Sequence, residues 1–157
     1  MNKTQDIVIK NKKARFQYEI LEVFTAGMEL YGTEIKAIRD GKASLVDAYC
    51  HFITNPQRPQ RPELYIRMHI SEYTFGSYNN HDPKRERKLL LQRRELNKIS
   101  KKVKATGLTI VPLKLFINNT GIAKIEIAIA KGKKAHDKRE DIKDKDSKRE
   151  LDRIRKN

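Results

Sequence analysis

The fold is decided by the stretch TIVPLKLFI-NNTG-IAKIEIAIA, which occupies residues 109–130. Its two outer runs are rich in Ile, Val and Thr, the β-branched residues that favour strands. The segment between them, residues 118–121, contains Asn and Gly, which tolerate the positive φ angles of tight turns. The stretch therefore predicts an antiparallel hairpin of two strands, residues 109–117 and 122–130.

A strand and a short helix are predicted near the N-terminus. Residues 16–24 are rich in aromatic and β-branched side chains at alternate positions, which indicates a strand that ends at the Ala-Gly pair of residues 26–27. Residues 30–39 place apolar side chains near helical spacing, and the Asp-Gly pair at residues 40–41 is a stop signal.

A second hairpin and a longer helix are predicted in the middle of the chain. Residues 48–53 and 64–70 are predicted to form the two strands of an antiparallel hairpin. The proline-rich loop between them excludes regular pairing, so the hairpin has a long polar tip. Residues 87–104 carry apolar side chains at helix-compatible offsets, and Gly107 follows as the C-cap.

These elements define the fold class. About six short strands, two or three helices and no alternation of parallel strands with helices indicate an α+β protein that is mainly β. We predict an antiparallel, OB-fold-like barrel over residues 1–130.

Residues 131–157 predict a basic tail that is disordered when free. They contain 12 Lys or Arg and 7 Asp or Glu, and their only large aliphatic residues are Ile142, Leu151 and Ile154. Such a segment cannot bury enough apolar surface to offset the entropy of ordering, so it should fold on a partner. Gly132 offers a flexible joint to the barrel.

The overall charge narrows the class of partner. The 157 residues carry a formal net charge of +15, and the natural complement of such a surface is a polyanion, nucleic acid first and an anionic membrane second. No stretch approaches the roughly 18 apolar residues of a spanning helix, and the N-terminus lacks the apolar core of a signal peptide. We expect a cytoplasmic protein with no membrane partner, in which the lone Cys50 is a structural thiol.

The positive charge is concentrated in blocks. Residues 84–104 carry ten basic and two acidic side chains, too few acids for pairing along a helix. This block therefore favours phosphate binding over an ordinary solvated helix face. For the shorter block at residues 11–15, NKKAR, both interpretations stay open.

The histidines give little support to catalysis. His51 and His69 lie in predicted strands, His81 precedes an Asp-Pro turn, and His136 stands in the tail without a base or nucleophile beside it. Motifs for nucleophilic, phosphate-loop or zinc-dependent chemistry are absent from the sequence. We expect no enzyme activity, cofactor or metal; a nuclease using His81 or His136 with the following Asp is the alternative from another class.

Segments in order along nearly the whole chain resemble the bacterial SsrA-binding protein family, also called small protein B. They are NKKARFQY (11–18), AG (26–27), GTEIKAIRDGKA (32–43), DPKRERKLLL (82–91), GLTIVPLKL (107–115), AKGKKAHDKR (130–139) and DIK (141–143). The resemblance implies an OB-fold barrel that grips the tRNA-like domain of transfer-messenger RNA (tmRNA) and enters stalled ribosomes. It further implies contacts with the small-subunit decoding centre and 16S rRNA, elongation factor Tu through the tmRNA complex, and a monomeric protein.

The resemblance also implies which residues bind RNA. Family positions fall on Asn11, Tyr18, Leu90, Lys124, Lys131, Lys133 and Lys134. The further RNA-binding cations predicted from matching segments are Lys12, Lys13, Arg15, Lys36, Arg39 and Lys42. The decoding-centre part of the tail comprises Gly132, His136, Asp137, Lys138 and Arg139. An aromatic ring or imidazole can stack on a base, and Lys or Arg can neutralise phosphates.

The chain departs from the family pattern at three places. Thr25 stands where an acidic residue often contributes to RNA contact, and Ser147 stands where tryptophan is common. The loop at residues 57–62 is longer than usual and has no assigned role. A generic ribosomal or assembly RNA-binding protein, for which any basic barrel would serve, is the rival function.

Overall fold

The computed structural model describes residues 7–76, 78–133 and 149. The described chain forms seven strands and three helices. The strands are β1 (Val8–Lys10), β2 (Tyr18–Met28), β3 (Ala43–Ile53), β4 (Glu63–Ile70), β5 (Glu86–Leu90), β6 (Thr109–Ile117) and β7 (Ala123–Gly132). The helices are α1 (Ala14–Gln17), α2 (Gly32–Arg39) and α3 (Arg93–Thr106).

The strands form one antiparallel sheet in the order β1-β6-β7-β2-β5-β4-β3. The edge strand β3 lies against β6 and β1 at the other end of that order, so the sheet curls into a nearly closed barrel. The prediction of an antiparallel, OB-fold-like barrel with two or three helices is confirmed, with one strand more than expected.

The barrel interior is a continuous apolar core to which two helices contribute. Alternate residues of each strand point inward, as the period of two requires. Side chains without exposed surface are Ile38 of α2, Ile99 of α3, and Leu64, Ile66, Ile70, Leu115, Ile125 and Ile127 of the strands. α2 and α3 therefore pack on the barrel through their apolar faces, and their basic faces remain outside.

The hairpin of β6 and β7 is confirmed. Gly121 has a φ of 83°, which a glycine adopts without strain. The side-chain oxygen of Asn118 accepts hydrogen bonds from the backbone N–H groups of Thr120 and Ile122 at 3.1 and 2.9 Å. The turn is therefore closed by the residue types that predicted it.

The β3–β4 hairpin and helix α2 are also confirmed. β3 begins five residues earlier than predicted, and its pairing with β4 is irregular between Ser44 and Tyr49. The loop at residues 57–62 is exposed except for the buried Pro62. It forms two successive turns, in which Arg58 N–H donates to Asn55 O at 2.9 Å and Arg61 N–H donates to Arg58 O at 3.1 Å.

The strand predicted over residues 16–24 is wrong at both ends. Residues 14–17 form α1, and β2 continues past the Ala-Gly pair to residue 28. Ala26 does not end the strand, because its side chain is fully buried opposite Ile125. Gly27 permits close approach of β5: a Cβ atom there would lie 3.3 Å from Cβ of Leu90.

The helix predicted over residues 87–104 is wrong in its first part. Residues 86–90 form β5, which pairs with β2 and β4, and the helix begins only at Arg93. Arg87 and Leu89 are buried in alternation, so sheet pairing and core packing override the helical spacing of the apolar residues. Gly107 is the predicted C-cap, with a φ of 65°.

The predicted boundary between barrel and tail falls inside a strand. Lys131 pairs with Glu19 and Gly132 pairs with Tyr18, so β7 includes the first two residues that were assigned to the tail. Gly132 therefore lies within strand pairing, although it was expected to act as a flexible joint.

Candidate RNA interface

Three neighbouring strands bring two of the predicted RNA-binding residues into one row. Gly27 of β2 lies opposite Leu90 of β5 on one side and opposite Lys124 of β7 on the other. Leu90 is 50% exposed although it is a large aliphatic residue. A side chain at Gly27 would crowd this row, so the glycine leaves room between Leu90 and Lys124.

This row lines a groove, which we call the Leu90 groove. It is lined by Thr25, Gly27, Glu63, Lys88, Leu89, Leu90, Leu91, Gln92, Arg93, Glu95, Leu96 and Lys124. Glu63 on its rim is paired with Arg93 at 2.6 Å and with Lys88 at 3.9 Å. The groove thus combines an exposed apolar side chain, the hydroxyl of Thr25 and an amine, which suits a base beside a phosphate.

A second group of predicted residues surrounds helix α1. Asn11 is held against β6, because its backbone N–H donates to Leu113 O at 2.8 Å and its Nδ2 donates to Pro112 O at 2.9 Å. Lys12, Lys13 and Arg15 are exposed around this anchored turn. The short block at residues 11–15 is therefore a fixed cationic surface.

Tyr18 lies beside this surface, where the first residue of β2 pairs with the last residue of β7. Its half-buried side chain packs on a small cluster beneath α1 that contains Ala14 and Val111. Gly132 pairs with Tyr18, and Lys133 N–H donates to Gln17 O at 3.0 Å. The structure therefore brings Tyr18, the N-terminal cations and the end of β7 together, a set we call the α1 surface.

The predicted cations of α2, and Lys42 after it, form a separate group. Lys36 Nζ lies 5.6 Å from the centroid of the Tyr73 ring, and Lys42 Nζ donates to Thr74 Oγ1 at 2.9 Å. Arg39 Nη2 lies 3.4 Å from Gly121 O, at the β6–β7 turn. None of these three cations lines the Leu90 groove.

Part of the basic block at residues 84–104 serves the fold. Arg85 and Arg87 form ion pairs with Glu34 of α2, and both Arg87 and Glu34 are fully buried. Arg87 Nη1 also donates to Met68 O at 2.7 Å. Arg87 is therefore an internal partner of Glu34, 53 residues away along the chain. The partly exposed Arg85 shares the same carboxylate.

Helix α3 shows the same kind of compensation. Lys98 and Lys102 donate to the two carboxylate oxygens of Glu22 at 2.6 and 2.8 Å. The hydrogen bonds from Lys102 and Lys98 hold the pKa of Glu22 below its ordinary value. The block has few acids of its own, as the sequence shows, but distant strands supply others, Glu22 of β2 and Glu63 of β4. In the described ranges Lys84, Arg94, Lys101 and Lys104 form no ion pair.

The described histidines make separate local contacts. Buried His81 lies 2.9 Å from both Thr33 Oγ1 and Ile70 O through its two ring nitrogens. Because a carbonyl only accepts, Nε2 donates to Ile70, and a neutral ring then accepts from the Thr33 hydroxyl. His51 Nε2 lies 3.3 Å from Glu86, and His69 Nε2 lies 3.2 Å from Ser71 Oγ.

Other predicted features can be placed only in part. Burial raises the pKa of the Cys50 thiol to about 12, as suits a structural thiol. Over the described ranges, no three His, Cys, Asp or Glu residues are grouped so as to hold a metal, and no helix is long and apolar enough to cross a membrane. The predicted residues Lys134, His136, Asp137, Lys138 and Arg139 lie outside the described part of the chain.

Comparisons with known proteins agree over nearly the full length. A family model described as SmpB protein matches residues 8–157. The SsrA-binding protein of Christiangramia forsetii is 56% identical over 151 residues, which cover 96% of this chain and 92% of the relative. That of Flavobacterium psychrophilum is 55% identical over 157 residues, which cover 99% of each. A chain of the solved structure "tmRNA-SmpB: a journey to the center of the bacterial ribosome" has a TM-score of 0.65 and 44% identity, and covers 82% of this chain and 86% of that one.

Proposed function

Because the chain belongs to the SmpB protein family, we propose that it is a tmRNA-binding adaptor that acts with tmRNA on the ribosome in trans-translation. The SsrA-binding relatives and the tmRNA-SmpB structure support this function. At a finer level, we assign the barrel to the tRNA-like domain of tmRNA and the tail to the decoding centre and mRNA channel.

The observation that carries the finer assignment is the row Leu90–Gly27–Lys124. A large aliphatic residue that is exposed in the lining of a groove, as Leu90 is, is suited to pack on the face of an unpaired base. An amine on the neighbouring strand can neutralise the adjacent phosphate. Thr25 then offers a neutral hydroxyl where relatives often have a carboxylate, so it can donate or accept one hydrogen bond without repelling phosphate.

The α1 surface supplies a second set of phosphate contacts in this proposal. Lys12, Lys13 and Arg15 are exposed on a turn that Asn11 anchors to β6, so their backbone positions are fixed before RNA arrives. Preorganised cations lose less entropy on binding than cations on a mobile segment. Tyr18 can stack on a base with the part of its ring that the small cluster beneath α1 leaves exposed.

We also propose that the protein has no catalytic activity of its own. The buried ring of His81 is engaged on both nitrogens by Thr33 and Ile70, so it offers no free base to a substrate. Incubation of the pure protein with labelled RNA and magnesium tests this proposal. Cleavage that persists through purification and is lost in a His81→Gln or His136→Ala variant would contradict it.

Selective capture tests the function against a generic role in ribosome assembly. The purified protein, immobilised through its N-terminus, is incubated with total bacterial RNA at moderate salt, and the bound RNA is sequenced. We expect strong enrichment of tmRNA, and a footprint on its tRNA-like domain. Dominant recovery of 16S or 23S rRNA fragments without tmRNA would favour the generic role.

A further inference from the structure

The loop between β4 and β5, residues 71–85 without the undescribed residue 77, displays two large aromatic side chains to solvent. Phe75 is 84% exposed and Tyr78 is 97% exposed, more than any other large hydrophobic residue in the described ranges. Neither residue lines the Leu90 groove. Single exposed apolar residues are common on protein surfaces. Exposure of the two rings therefore indicates a binding site only together with an ordered loop and suitable neighbouring charges.

The loop is held in shape by its own polar residues. Asn80 Oδ1 accepts from Tyr73 N–H at 3.2 Å, and Asn80 Nδ2 donates to Tyr73 O at 2.8 Å. Gly76 N–H donates to the same carbonyl at 2.9 Å. A Cβ at Gly76 would lie 2.5 Å from Asn80 Nδ2, so a larger residue would displace this bridge.

The base of the loop is closed on the barrel core. Ile70 N–H donates to Pro83 O at 2.9 Å, and His81 Nε2 lies 2.9 Å from Ile70 O. Arg87 Nη2 approaches the carbonyls of Asp82 and Pro83 at 3.3 and 3.2 Å. The two ends of the loop are therefore fixed, and Phe75 projects from an ordered support.

Cations of α2 and the segment that follows it lie against the same loop. Lys36 Nζ stands 5.6 Å from the Tyr73 ring centroid, and Lys42 Nζ bonds Thr74 Oγ1 at 2.9 Å. Tyr73 in turn meets Phe75 edge-to-face, with centroids 5.8 Å apart. Aromatic rings beside amines match the chemistry of unpaired RNA, whose bases stack and whose phosphates attract cations.

We propose that this aromatic loop binds unpaired nucleotides of RNA by stacking on Phe75 and Tyr78, with Lys36 and Lys42 neutralising the adjacent phosphates. The inference rests on the proposed RNA-binding function and assigns to it a surface apart from the Leu90 groove. A protein partner is the competing occupant. The two amines that contact the loop, Lys36 at the Tyr73 ring and Lys42 at Thr74 Oγ1, favour RNA because they can pair with its phosphates.

The test compares three fluorescent RNAs by anisotropy over a range of salt: the tRNA-like domain, an unstructured oligouridylate of about 12 nucleotides, and a duplex of the same length. Phe75→Ala should weaken oligouridylate binding at least about fivefold with an unchanged salt slope, and leave duplex binding unaltered. Phe75→Tyr should retain binding, and Lys36→Met should lower the salt slope. Ile53→Ala, which removes an exposed apolar residue at the end of β3, is the matched control.

Two results would overturn the proposed role of the aromatic loop, and a third would count against the proposed function. Equal oligouridylate binding by Phe75→Ala and wild type would overturn the proposal. So would cross-linking to ribosomal protein rather than RNA, when a photoreactive p-benzoylphenylalanine replaces Phe75 and tmRNA-loaded ribosomes are the probe. Failure of the wild-type protein to bind the tRNA-like domain would instead count against the proposed function, so the two failures are distinguishable.

Discussion

Glu34 of α2 and Arg87 of β5 form an ion pair in which neither side chain has exposed surface. Arg85 joins the same carboxylate and also lies over the Tyr31 ring, 4.0 Å from its centroid. The pair connects the helix that carries Lys36 to the strand that carries Leu90. Folding of the barrel and display of the proposed RNA-binding residues therefore depend on the same buried charges.

Removal of this carboxylate should destabilise the protein strongly. In Glu34→Gln two arginines lose their counter-charge, and one of them stays buried, which costs about 3–5 kcal/mol of unfolding free energy. Urea unfolding followed by circular dichroism measures the loss. Glu22→Gln, which breaks two exposed pairs with Lys98 and Lys102, is the control and should cost far less. Equal midpoints for the two variants would show that the buried pair does not hold α2 on the barrel.

Acid should weaken folding through the same group. Burial by itself raises the pKa of Glu34, but hydrogen bonds from Arg85, the Tyr31 backbone and Arg87 outweigh it and hold the pKa below the ordinary 4.5. The contribution to stability is therefore fully present above 4.5 and is lost as the pH falls through that value towards the folded pKa. Urea midpoints measured from neutral pH downward should fall more steeply in wild type than in Glu34→Gln. Parallel curves would contradict this linkage.

The local parts of the fold could be predicted from the sequence. The turn at residues 118–121, the C-cap at Gly107 and the alternation along β6 and β7 depend on residues close together in the chain. The Leu90 groove could not be derived from local patterns, because it requires β5 beside β2. Apolar residues stand at helical offsets throughout residues 87–104, although the first of them belong to strand β5. A short apolar run does not distinguish a strand from a helix.

The buried ion pair was missed for a related reason. Glu34 sits in an ordinary amphipathic helix, and Arg87 stands within a run of four other charges at residues 84–88 that looks fully solvated. Nothing in either segment shows that these two residues meet. Only the inward position of Arg87 on β5 identifies it as a core residue. That position cannot be predicted while residues 86–90 are interpreted as the start of a helix.

Substitution of Lys124 should weaken tmRNA binding through charge. Lys124→Met keeps the aliphatic stem, so the slope of log K against log salt should fall by ~0.7–0.9, equivalent to one phosphate contact. Arg61→Met removes the same charge from an exposed position of the β3–β4 loop outside the Leu90 groove and is the matched control. Filter binding of the tRNA-like domain at several salt concentrations measures both. Identical slopes for the two variants would remove Lys124 from the interface.

Leu90 should contribute contact without charge. Leu90→Ala should lose roughly 1 kcal/mol of binding free energy, because about half of this side chain is available for burial against RNA. Its salt slope should equal that of wild type, since no phosphate contact is lost. Loss of thermal stability on the same scale as the loss of affinity would show instead that Leu90 supports the pairing of β5 with β2.

The role of Tyr18 can be separated from its packing. Tyr18→Ala should cost roughly 1–3 kcal/mol of RNA affinity if the ring stacks on a base, but it also uncovers the cluster under α1. Tyr18→Leu keeps apolar contact with Ala14 and Val111 and removes the aromatic face together with the phenolic hydroxyl. We expect reduced affinity and a nearly unchanged melting temperature for Tyr18→Leu. Wild-type affinity in Tyr18→Leu, with affinity and stability lost together in Tyr18→Ala, would identify Tyr18 as a packing residue.

The position of the tail deletion should decide whether binding and tagging separate. β7 extends to Gly132, and Lys133 N–H bonds Gln17 O, so truncation after Lys133 leaves the α1 surface complete. The deleted residues, 134–157, contain ten basic and seven acidic side chains and remove only three net positive charges. Affinity for the tRNA-like domain should therefore stay nearly intact at moderate salt, whereas tagging of stalled nascent chains should be lost.

Two further variants test whether the tail works apart from the barrel. Truncation after Ala130 removes the strand pairs of Lys131 and Gly132 with β2, so affinity and tagging should fall together. His136→Ala should lower tagging and leave RNA affinity unchanged, since one imidazole can stack in the decoding centre and adds little to the overall charge. If the tail acted only as extra positive charge, both truncations would weaken every RNA complex in proportion to the charge removed. Normal tagging by His136→Ala, or lost tmRNA binding after truncation at Lys133, would refute the separation.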